Sequence, residues 1–324
     1  MFNRRAALTA LLSVSAAPSL LAQEAPWPSR PITLVLPFPA GGQTDAVARN
    51  LARALEASLG QPVVVDNRPG ANSLIGTNFV ARAAPDGYTL LLNMTALVTN
   101  PILLPNVTYD AFKDFAPIYR LYEIPAVWAV PPGKAQTLDQ FIKQAQASKL
   151  PLNFATTGHA SSSHYFGEIF ARGAGIQLNH VPYKGETPLL PDLVSGRIDA
   201  AVVSSASAVQ FGKDGRIRPL AVSGKNRWKA LPDQPTFVEL GIPGMTTETY
   251  CGIFAPTRTP QPVIDKLNAA ISRIASTTEF QNQMIATGLE VAPPLTPTQF
   301  AALMRKSHEE WTAIKKESAI KLDA

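Results

Sequence analysis

The sequence predicts an α/β fold of two lobes, each a mostly parallel sheet flanked by helices, joined by two segments that cross between the lobes. Short apolar runs alternate with helical patterns over short links, as parallel strands with crossover helices require. The same alternation begins again near residue 137. With 324 residues, 46% of them hydrophobic, the chain is long enough for more than one core.

The first unit is the most informative. Residues 32–36 form an apolar run typical of a strand covered on both faces. Two prolines and two glycines follow within residues 37–45, which we name the glycine loop. The next helix, for which Thr44 or Asp45 is the expected cap, runs to Gly60. A strand, a glycine loop and a helix N-terminus together present free N–H groups, so we expect an anion site here.

The remaining elements follow in order. Further strands are predicted at 62–65, 88–92, 152–155, 198–203 and 217–222. Further helices are predicted at 75–83, 137–148, 165–170, 189–196, 237–240, 263–274, 280–287 and 297–316. Residues 101–117 are predicted to be irregular, and the crossings are predicted at 118–130 and 247–254. The expected lobes are 23–123 with 250–324, on which the tail packs back, and 124–249.

The second lobe repeats the strand, the small polar loop and the helix N-terminus. Residues 156–164, which we name the serine loop, contain Ser161, Ser162 and Ser163. Two such lobes joined by two crossings are the architecture of a periplasmic binding protein, which closes on its ligand by hinge motion. We therefore expect the glycine loop and the serine loop to hold one anion between them.

The N-terminus has the pattern of an export signal at 1–22. Arg4 and Arg5 precede an apolar stretch, and Ala22 is the expected last residue before cleavage. The arginine pair leaves both the general secretory and the twin-arginine routes open. The apolar stretch is too short for a membrane anchor, so the mature chain is expected to be an exported, periplasmic monomer without stable membrane insertion.

Composition disfavours several function classes. Removal of the leader lowers the net charge from +5 by two, to +3, and the basic residues form no stripe with interleaved aromatics, so no nucleic-acid partner is expected. The one cysteine, Cys251, lies in an apolar run and is expected to be a buried thiol. The histidines at 159, 164, 180 and 308 show no metal-ligand spacing, and nucleotide-binding motifs are missing, so neither metal nor cofactor is expected.

The serines, His164 and Asp199 are the residue types of a catalytic triad, so the sequence raises the alternative of a hydrolase. Ser163 and His164 are adjacent, however, so their side chains diverge on a helix. The sequence also lacks the Gly-x-Ser-x-Gly elbow. We therefore predict that the protein is not an enzyme.

Eight short motifs follow one another along the mature chain. They are WPSRPI (27–32), VLPFPAGGQTD (35–45), GQPVVVDNRPGA (60–71), APDGYTL (84–90), SSSH (161–164), VPYKG (181–185), LPDQPT (231–236) and FAP (254–256). In this order they resemble the Bug family, the periplasmic solute receptors of tripartite tricarboxylate transporters (TctC-like). The resemblance covers essentially the whole mature chain.

The resemblance implies a type II binding-protein fold that holds a small carboxylic acid, such as a di- or tricarboxylate or an aromatic carboxylate. The ligand would be held between the two loops, partly through ordered water, and delivered to membrane transporter subunits. The residues expected to bind the ligand are Phe38, Ala40, Gly41, Gly42, Thr44, Asp45, Thr95, Ser161, Ser162, Ser163, His164, Tyr183, Lys184, Gly185, Ser204 and Ser205.

Several roles stay open from the residues alone. Asp45 is either a ligand contact or a first-turn acid that organises the loop's own N–H groups. Ser161 to Ser163 fit a helix cap, His164 fits a packed side chain, and Lys184 fits an ordinary surface lysine. Family members commonly carry an Asp-Asn pair where this chain has Val203 and Ser204, and the missing acid argues against an amino-acid ligand. A periplasmic partner of a sensor kinase remains the alternative to a transport receptor.

Overall fold

Strands and helices largely alternate along the chain. In the computed structural model, the described residues are 27–159, 161–242, 245 and 249–317, so the predicted leader at 1–22 lies outside them. Within these ranges the strands are β1 (Ile32–Leu36), β2 (Val63–Asn67), β3 (Thr89–Met94), β4 (Phe115–Ile124), β5 (Val127–Val130), β6 (Leu152–Thr156), β7 (Leu178–Pro182), β8 (Ala200–Val203), β9 (Arg218–Val222) and β10 (Thr249–Pro256). The helices are α1 (Gln43–Leu59), α2 (Leu74–Ala81), α3 (Ala96–Leu103), α4 (Leu138–Ala147), α5 (Ser162–Ala174), α6 (Leu190–Val194), α7 (Ser205–Lys213), α8 (Gln261–Ala275), α9 (Thr278–Ala286) and α10 (Pro297–Glu317).

The described strands form two five-stranded mixed sheets. The first has the order β2-β1-β3-β10-β4 and the second the order β7-β6-β8-β5-β9. In the first sheet β10 runs against the other four strands, and in the second sheet β5 does so. We call each sheet with its packed helices the first lobe and the second lobe. The predicted two-lobed α/β fold is confirmed, and the exact residues at which the lobes divide, 123/124 and 249/250, stay our proposal.

The link between β4 and β5 makes the carboxyl edges of the two sheets face one another. Strand β4 runs in the same direction as β1 to β3, so it ends at Ile124 on the carboxyl edge of the first sheet. Three residues later Val127 begins β5 opposite Val203, which is the last residue of β8. The strand therefore enters the second sheet at that sheet's carboxyl edge. Ligands of open α/β sheets bind at such edges.

Both faces of each sheet are covered, which explains the near-continuous apolar strands. The first sheet packs against α1, α8 and α9 on one face and against α3 and α10 on the other. The second sheet packs against α4 and α5 on one face and against α6 and α7 on the other. Among the described residues, no helix combines the length and apolar character that a bilayer span needs.

The last helix, α10, joins the two lobes. Its first half places Phe300 and Met304 in the core of the first lobe. Its second half places Trp311 in the core of the second lobe, edge-on to Tyr165 and Phe166 with ring centroids 5.9 Å apart in both cases. The expectation that the tail packs back on the first lobe holds for α8 and α9 but is wrong for the end of α10.

Two local predictions are also wrong, and helix α7 was not predicted. Residues 101–103 belong to α3, because the helix starts at Ala96 and accommodates Pro101 in its interior. Helix α7 was missed because its sequence is small and polar, with only Ser205 and Ala208 buried. Residues 237–240 form turns and not a helix.

We expect Trp311→Ala to lower the free energy of unfolding by about 3–5 kcal/mol, since it removes a fully buried aromatic side chain where the lobes join. Urea unfolding followed by circular dichroism measures the loss. Thr312→Ala, at the exposed neighbouring position, is the control and should change stability by less than about 0.5 kcal/mol. Equal midpoints for the two variants would contradict the role assigned to α10.

Candidate functional site

The glycine loop connects the carboxyl end of β1 to α1. The helix begins at Gln43 with Gly42 as its N-cap, so the prediction that Thr44 or Asp45 caps it is wrong. Glycine has no side chain to fill the helix N-terminus, and no side-chain cap bond is present. Residues 40–42 are exposed. The N–H groups of the first turn are therefore available to an anion.

Asp45 holds the glycine loop from within the protein. Its Oδ2 accepts hydrogen bonds from the N–H of Gly41 at 3.0 Å and from Nε of Arg49 at 2.9 Å. Its Oδ1 accepts from Nδ2 of Asn67 at 2.9 Å, and the same amide donates to the carbonyl of Phe38 at 3.1 Å. Gly41 has a φ of +83°, a left-handed conformation that favours glycine. Of the roles left open for Asp45, the structure favours organising the loop.

The charge of Asp45 is balanced inside this network. Burial disfavours the ionised form, but hydrogen bonds from Arg49, Gly41 and Asn67 outweigh burial and lower its pKa to about 2. The carboxylate is therefore charged at neutral pH and is neutralised by the ion pair with Arg49. An anion that enters the loop meets N–H donors without an unpaired negative charge beside them.

The serine loop ends in a conventional helix cap. Ser161 is the N-cap of α5, and its Oγ accepts from the N–H of His164 at 3.3 Å. The same hydroxyl donates to the carbonyl of Gly158 at 2.7 Å. The capping role that the sequence left open for the serines is confirmed for Ser161.

The other two serines differ in exposure. Ser163 is buried, and its Oγ accepts from the N–H of Thr157 at 3.0 Å and lies 3.0 Å from the Thr157 hydroxyl. Ser162 is exposed on the first turn of α5. The serine loop is therefore shaped by Ser161 and Ser163, whereas Ser162 presents its hydroxyl to solvent.

The segment after β7 is hydrogen-bonded to the serine loop. The N–H of Gly185 donates to the carbonyl of Thr157 at 3.1 Å. The Tyr183 hydroxyl donates to Oδ2 of Asp192 at 2.7 Å, and burial together with this bond raises its pKa to about 12. Lys184 is exposed. Of these three expected site residues, Lys184 is the exposed one, and Tyr183 is engaged with α6.

Three expected site residues on the first lobe are less accessible than the glycines. Thr95 is buried, and its hydroxyl accepts from the N–H of Tyr250 at 2.8 Å, which ties α3 to β10. Thr44 is 8% exposed, and Phe38 is half-buried against the core. In this conformation all three are less accessible to a solute than residues 40–42.

A third helix N-terminus stands at the end of β8. Ser204 caps α7 by accepting from the N–H of Ser207 at 3.2 Å. The Glu186 carboxylate already occupies this N-terminus, because its Oε1 accepts from the N–H of Ser204 at 2.9 Å and from its hydroxyl at 3.1 Å. Ser205 is fully buried, and its hydroxyl has no hydrogen-bond partner within the described part of the chain. The premise that this strand end lacks an acid is wrong, since Glu186 supplies one.

The two lobes meet beside these N-termini. Nε2 of Gln43, at the start of α1, donates to the carbonyl of Thr287 at 2.5 Å. The next residue, Gly288, approaches α7 so closely that an added Cβ would lie 3.0 Å from the Cα of Ala206. The contact places the start of α1 and the start of α7 on the two sides of one short loop.

Three histidines come together next to the serine loop, although their spacing in the sequence predicts no metal site. One ligand atom from each of His159, His164 and His180 lies within 4.8 Å of the others. The rings of His164 and His180 stack with centroids 3.5 Å apart and planes at 12°. The Thr156 hydroxyl lies 2.7 Å from Nε2 of His180, and Oε1 of Glu168 lies 3.7 Å from Nε2 of His164.

Two of the clustered histidines are held in the neutral form. Burial, reinforced by repulsion from His180 and His159, lowers the pKa of His164 to about 3. Burial and His159 together lower the pKa of His180 to about 4. Both rings are therefore uncharged at neutral pH.

A cavity of about 900 Å³ opens between the lobes on the side of α8 and α9. Its walls include residues 223–230 of the second lobe and 288–294 of the first, where Lys229 and Glu290 pair at 3.8 Å. Over the described residues, none of the expected site residues lines it. Opposite charges face each other in this cavity, unlike the exposed N–H and hydroxyl donors of the two loops.

The residue types of a hydrolase are present but are not assembled. Asp199 accepts from the N–H of Asn153 at the start of β6, whereas Ser163 and His164 lie beyond the other end of that strand. Cys251 is fully buried, and burial raises the pKa of its thiol to about 12. A thiol with that pKa stays protonated and is a poor nucleophile.

The functional residues that sequence reasoning missed position the loops or join the histidine cluster. They are Arg49, Asn67, Thr157, His159, His180 and Glu186. The i, i+4 spacing of Asp45 and Arg49 was a usable signal, and Asn67 ends β2 at the same sheet edge as the glycine loop. Glu186 left no such signal, because its role depends on how the chain after β7 folds back on α7.

A family model described as "Tripartite tricarboxylate transporter family receptor" (TctC) matches residues 47–320. Among curated proteins, a UPF0065 protein of the tcbD-tcbE intergenic region of Pseudomonas sp. (strain P51) is 38% identical over 88% of this chain and 85% of its own length. Protein BugT of Bordetella pertussis is 34% identical over 91% of both chains.

Solved structures of the same kind superimpose over most of the chain. MatC from Rhodopseudomonas palustris, solved with bound malate, has a TM-score of 0.75 and 31% identity, covering 89% of this chain and 99% of that one. R. palustris Rpa4515, solved with adipate, has a TM-score of 0.79 and 30% identity, covering 90% and 97%.

The depressed pKa of Asp45 predicts a pH-dependent contribution to stability. Its folded-state pKa of about 2 lies below the ordinary 3.8, so the stabilisation is present above about pH 4 and is lost as the pH falls through the folded value. We expect Asp45→Asn to cost about 2 kcal/mol at pH 7 and roughly half of that at pH 3, because one pKa unit corresponds to about 1.4 kcal/mol.

Urea unfolding of both proteins at several pH values measures this difference. Asp139→Asn removes an exposed acid that pairs with Lys143 and serves as the control, with an expected loss below about 1 kcal/mol. A cost at position 45 that does not change between pH 7 and pH 3 would show that the carboxylate charge is not the cause.

Proposed function

This chain belongs to the tripartite tricarboxylate transporter receptor family, a family of solute-binding receptors and not of enzymes, and we propose that it captures a small carboxylic acid between its two lobes. The acid would be a di- or tricarboxylate or an aromatic carboxylate. The protein would act in the periplasm and deliver the acid to the membrane subunits of a tripartite tricarboxylate-type transporter.

The observation that carries the proposal is the pair of helix N-termini at the facing carboxyl edges. Helix α1 starts behind exposed glycines and without a side-chain cap bond, and α5 starts at Ser161 with the Ser162 hydroxyl exposed. Each N-terminus contributes roughly 0.3–1 kcal/mol for a nearby anion, and more where the anion is partly buried. A solute with two carboxylates can use one N-terminus on each lobe.

Neutral donors suit carboxylates without requiring a salt bridge. Backbone N–H groups at a helix start form charge-assisted hydrogen bonds with a carboxylate, and bridging water completes the shell. The relatives solved with malate and with adipate hold dicarboxylic acids, which supports this ligand class. Glu186 removes the argument against an amino group, so amino acids belong in the same ligand screen.

Capture by closure requires the lobes to move about their connections. Residues 125 and 126 form the short β4–β5 link, and β10 carries the chain back to the first sheet. Helix α10 adds a third connection because it packs in both cores. We infer a hinge at the β4–β5 and β9–β10 crossings, with α10 flexing or sliding along the second lobe.

The glycine loop can be tested with a matched pair of glycines on one helix. Gly41 and Gly60 flank α1, both have positive φ values, +83° and +72°, and a Cβ at either position meets nothing within 4 Å. Valine at either site should strain the backbone similarly, by about 1–2 kcal/mol. Only Gly41→Val should also lose ligand binding.

A thermal-shift screen of small carboxylates measures this. A ligand at about 100 times its dissociation constant adds roughly 2.7 kcal/mol of stability, which we expect for the wild type and for Gly60→Val but not for Gly41→Val. Lys225→Ala, in the wall of the 900 Å³ cavity, should keep the shift. Loss of the shift in Lys225→Ala with retention in Gly41→Val would place the solute in the cavity.

Closure predicts a more compact particle when the solute is bound. Small-angle scattering with and without the carboxylate that gives the largest thermal shift should show a smaller radius of gyration in the bound state. Gly41→Val under the same conditions should show no change. An unchanged radius for a wild type that demonstrably binds would leave capture intact and refute closure.

A further inference from the structure

We propose that His159, His164 and His180, which lie in and beside the serine loop, form a binding site for a divalent transition-metal ion of the zinc type in addition to the solute site. Three nitrogen ligands converge from three elements, namely the serine loop, α5 and β7. The site does not depend on the identity of the solute or on transport.

The distances permit the site after a small rearrangement. In a tetrahedral zinc site, bonds of 2.0–2.1 Å place the nitrogen atoms about 3.3 Å apart. The three ligand atoms lie within 4.8 Å of one another, so each pair needs to close by at most about 1.5 Å. His159 is exposed on its loop and can supply part of this movement. The rings of His164 and His180 are stacked nearly parallel, so metal binding would also require one of them to rotate until both lone pairs point at the ion.

The donor set selects the kind of metal. Imidazole nitrogen favours zinc, copper and nickel, whereas magnesium and calcium prefer oxygen ligands. His164 is buried and His180 is half-buried, and a histidine binds metal through the lone pair of an unprotonated ring nitrogen. Three protein ligands leave a fourth position for water or another oxygen donor.

Oxygen groups that orient metal-bound histidines are already in place. The Thr156 hydroxyl contacts His180, and the Glu168 carboxylate lies near His164. Such partners fix the tautomer of a histidine ligand and raise its basicity. The carboxylate also adds negative charge beside a cation. The Thr156–His180 hydrogen bond is therefore a contact of the second layer that histidine metal sites use, whereas Glu168, at 3.7 Å from His164, would have to move closer to form one.

Occupation would connect the serine loop to the body of the second lobe. His159 lies in that loop between Gly158 and Ser161, whose own bonds to each other are short-range. His164 and His180 are fixed by α5 and by β7, which pairs with β6. A bound ion would thus link the loop to a helix and to a strand at once.

Isothermal titration of the full chain, dialysed free of metal, with zinc chloride tests the proposal in the absence of any carboxylate. We expect one zinc ion per chain for the wild type and for His308→Ala, which removes the one histidine outside the cluster. His159→Ala, at an exposed position, and His180→Asn should each weaken binding at least about tenfold. Magnesium chloride should give no binding.

Two further measurements test zinc binding independently of the titration. Cobalt(II) added to the wild type should give the visible absorption of a tetrahedral ion, and this signal should be lost in His159→Ala. Zinc should raise the melting temperature of the wild type and of Gly41→Val, whose altered loop belongs to the solute site. Equal zinc affinity in the wild type and in His159→Ala, or an equal loss in His308→Ala, would overturn the proposal.

Discussion

The candidate site depends on backbone N–H groups in the first turns of helices, where no carbonyl of the same helix can accept from them. Three of the helix starts that follow strand ends at the carboxyl edges, those of α1, α5 and α7, differ in how many of these N–H groups are left open. Gly42 leaves the start of α1 open, Ser161 uses its own hydroxyl at the start of α5, and Glu186 fills the start of α7. The first turn of an uncapped helix is where a charged ligand gains most, because its N–H groups have no other partner. Of these three helix starts, α1 is the one we propose as the main anion position, because it has no side-chain cap bond.

The N–H groups at the start of α1 stay available to a ligand only if the protein's own carboxylates do not accept from them. A carboxylate three residues after a helix cap commonly reaches back to the N–H groups near the cap. Asp45 does so, but at Gly41, one residue before the cap, and Arg49 and Asn67 hold it there. The acid thus shapes the loop from its inner side while residues 40–42 stay exposed. Glu186 shows the opposite outcome, in which the protein's own carboxylate occupies the helix start.

Local patterns made much of this arrangement predictable, and long-range contacts account for what was missed. The apolar run of β1, the glycines after it and the stripe of α1 all lie within one stretch of chain, so the sequence predicts the strand, loop and helix together. Helix α7 lacks an apolar stripe, and Trp311 reaches the second lobe from the chain's last helix. Likewise His159 and His180 are 21 positions apart in the sequence and become neighbours only because β6 and β7 pair. Hydrophobic periodicity carries no information about such long-range contacts.

The charge state of the binding region follows from these packing details. Asp45 has a pKa of about 2, and His164 and His180 have pKa values of about 3 and 4. None of these three groups changes charge between about pH 5 and pH 8, since each pKa lies at least about one unit below that interval. A carboxylic acid with an ordinary pKa near 4 is also ionised over that interval. The titration of these three groups therefore does not change the proposed attraction between the helix starts and the ionised acid over that interval. The attraction weakens only when the pH falls far enough for the acid itself to take up a proton.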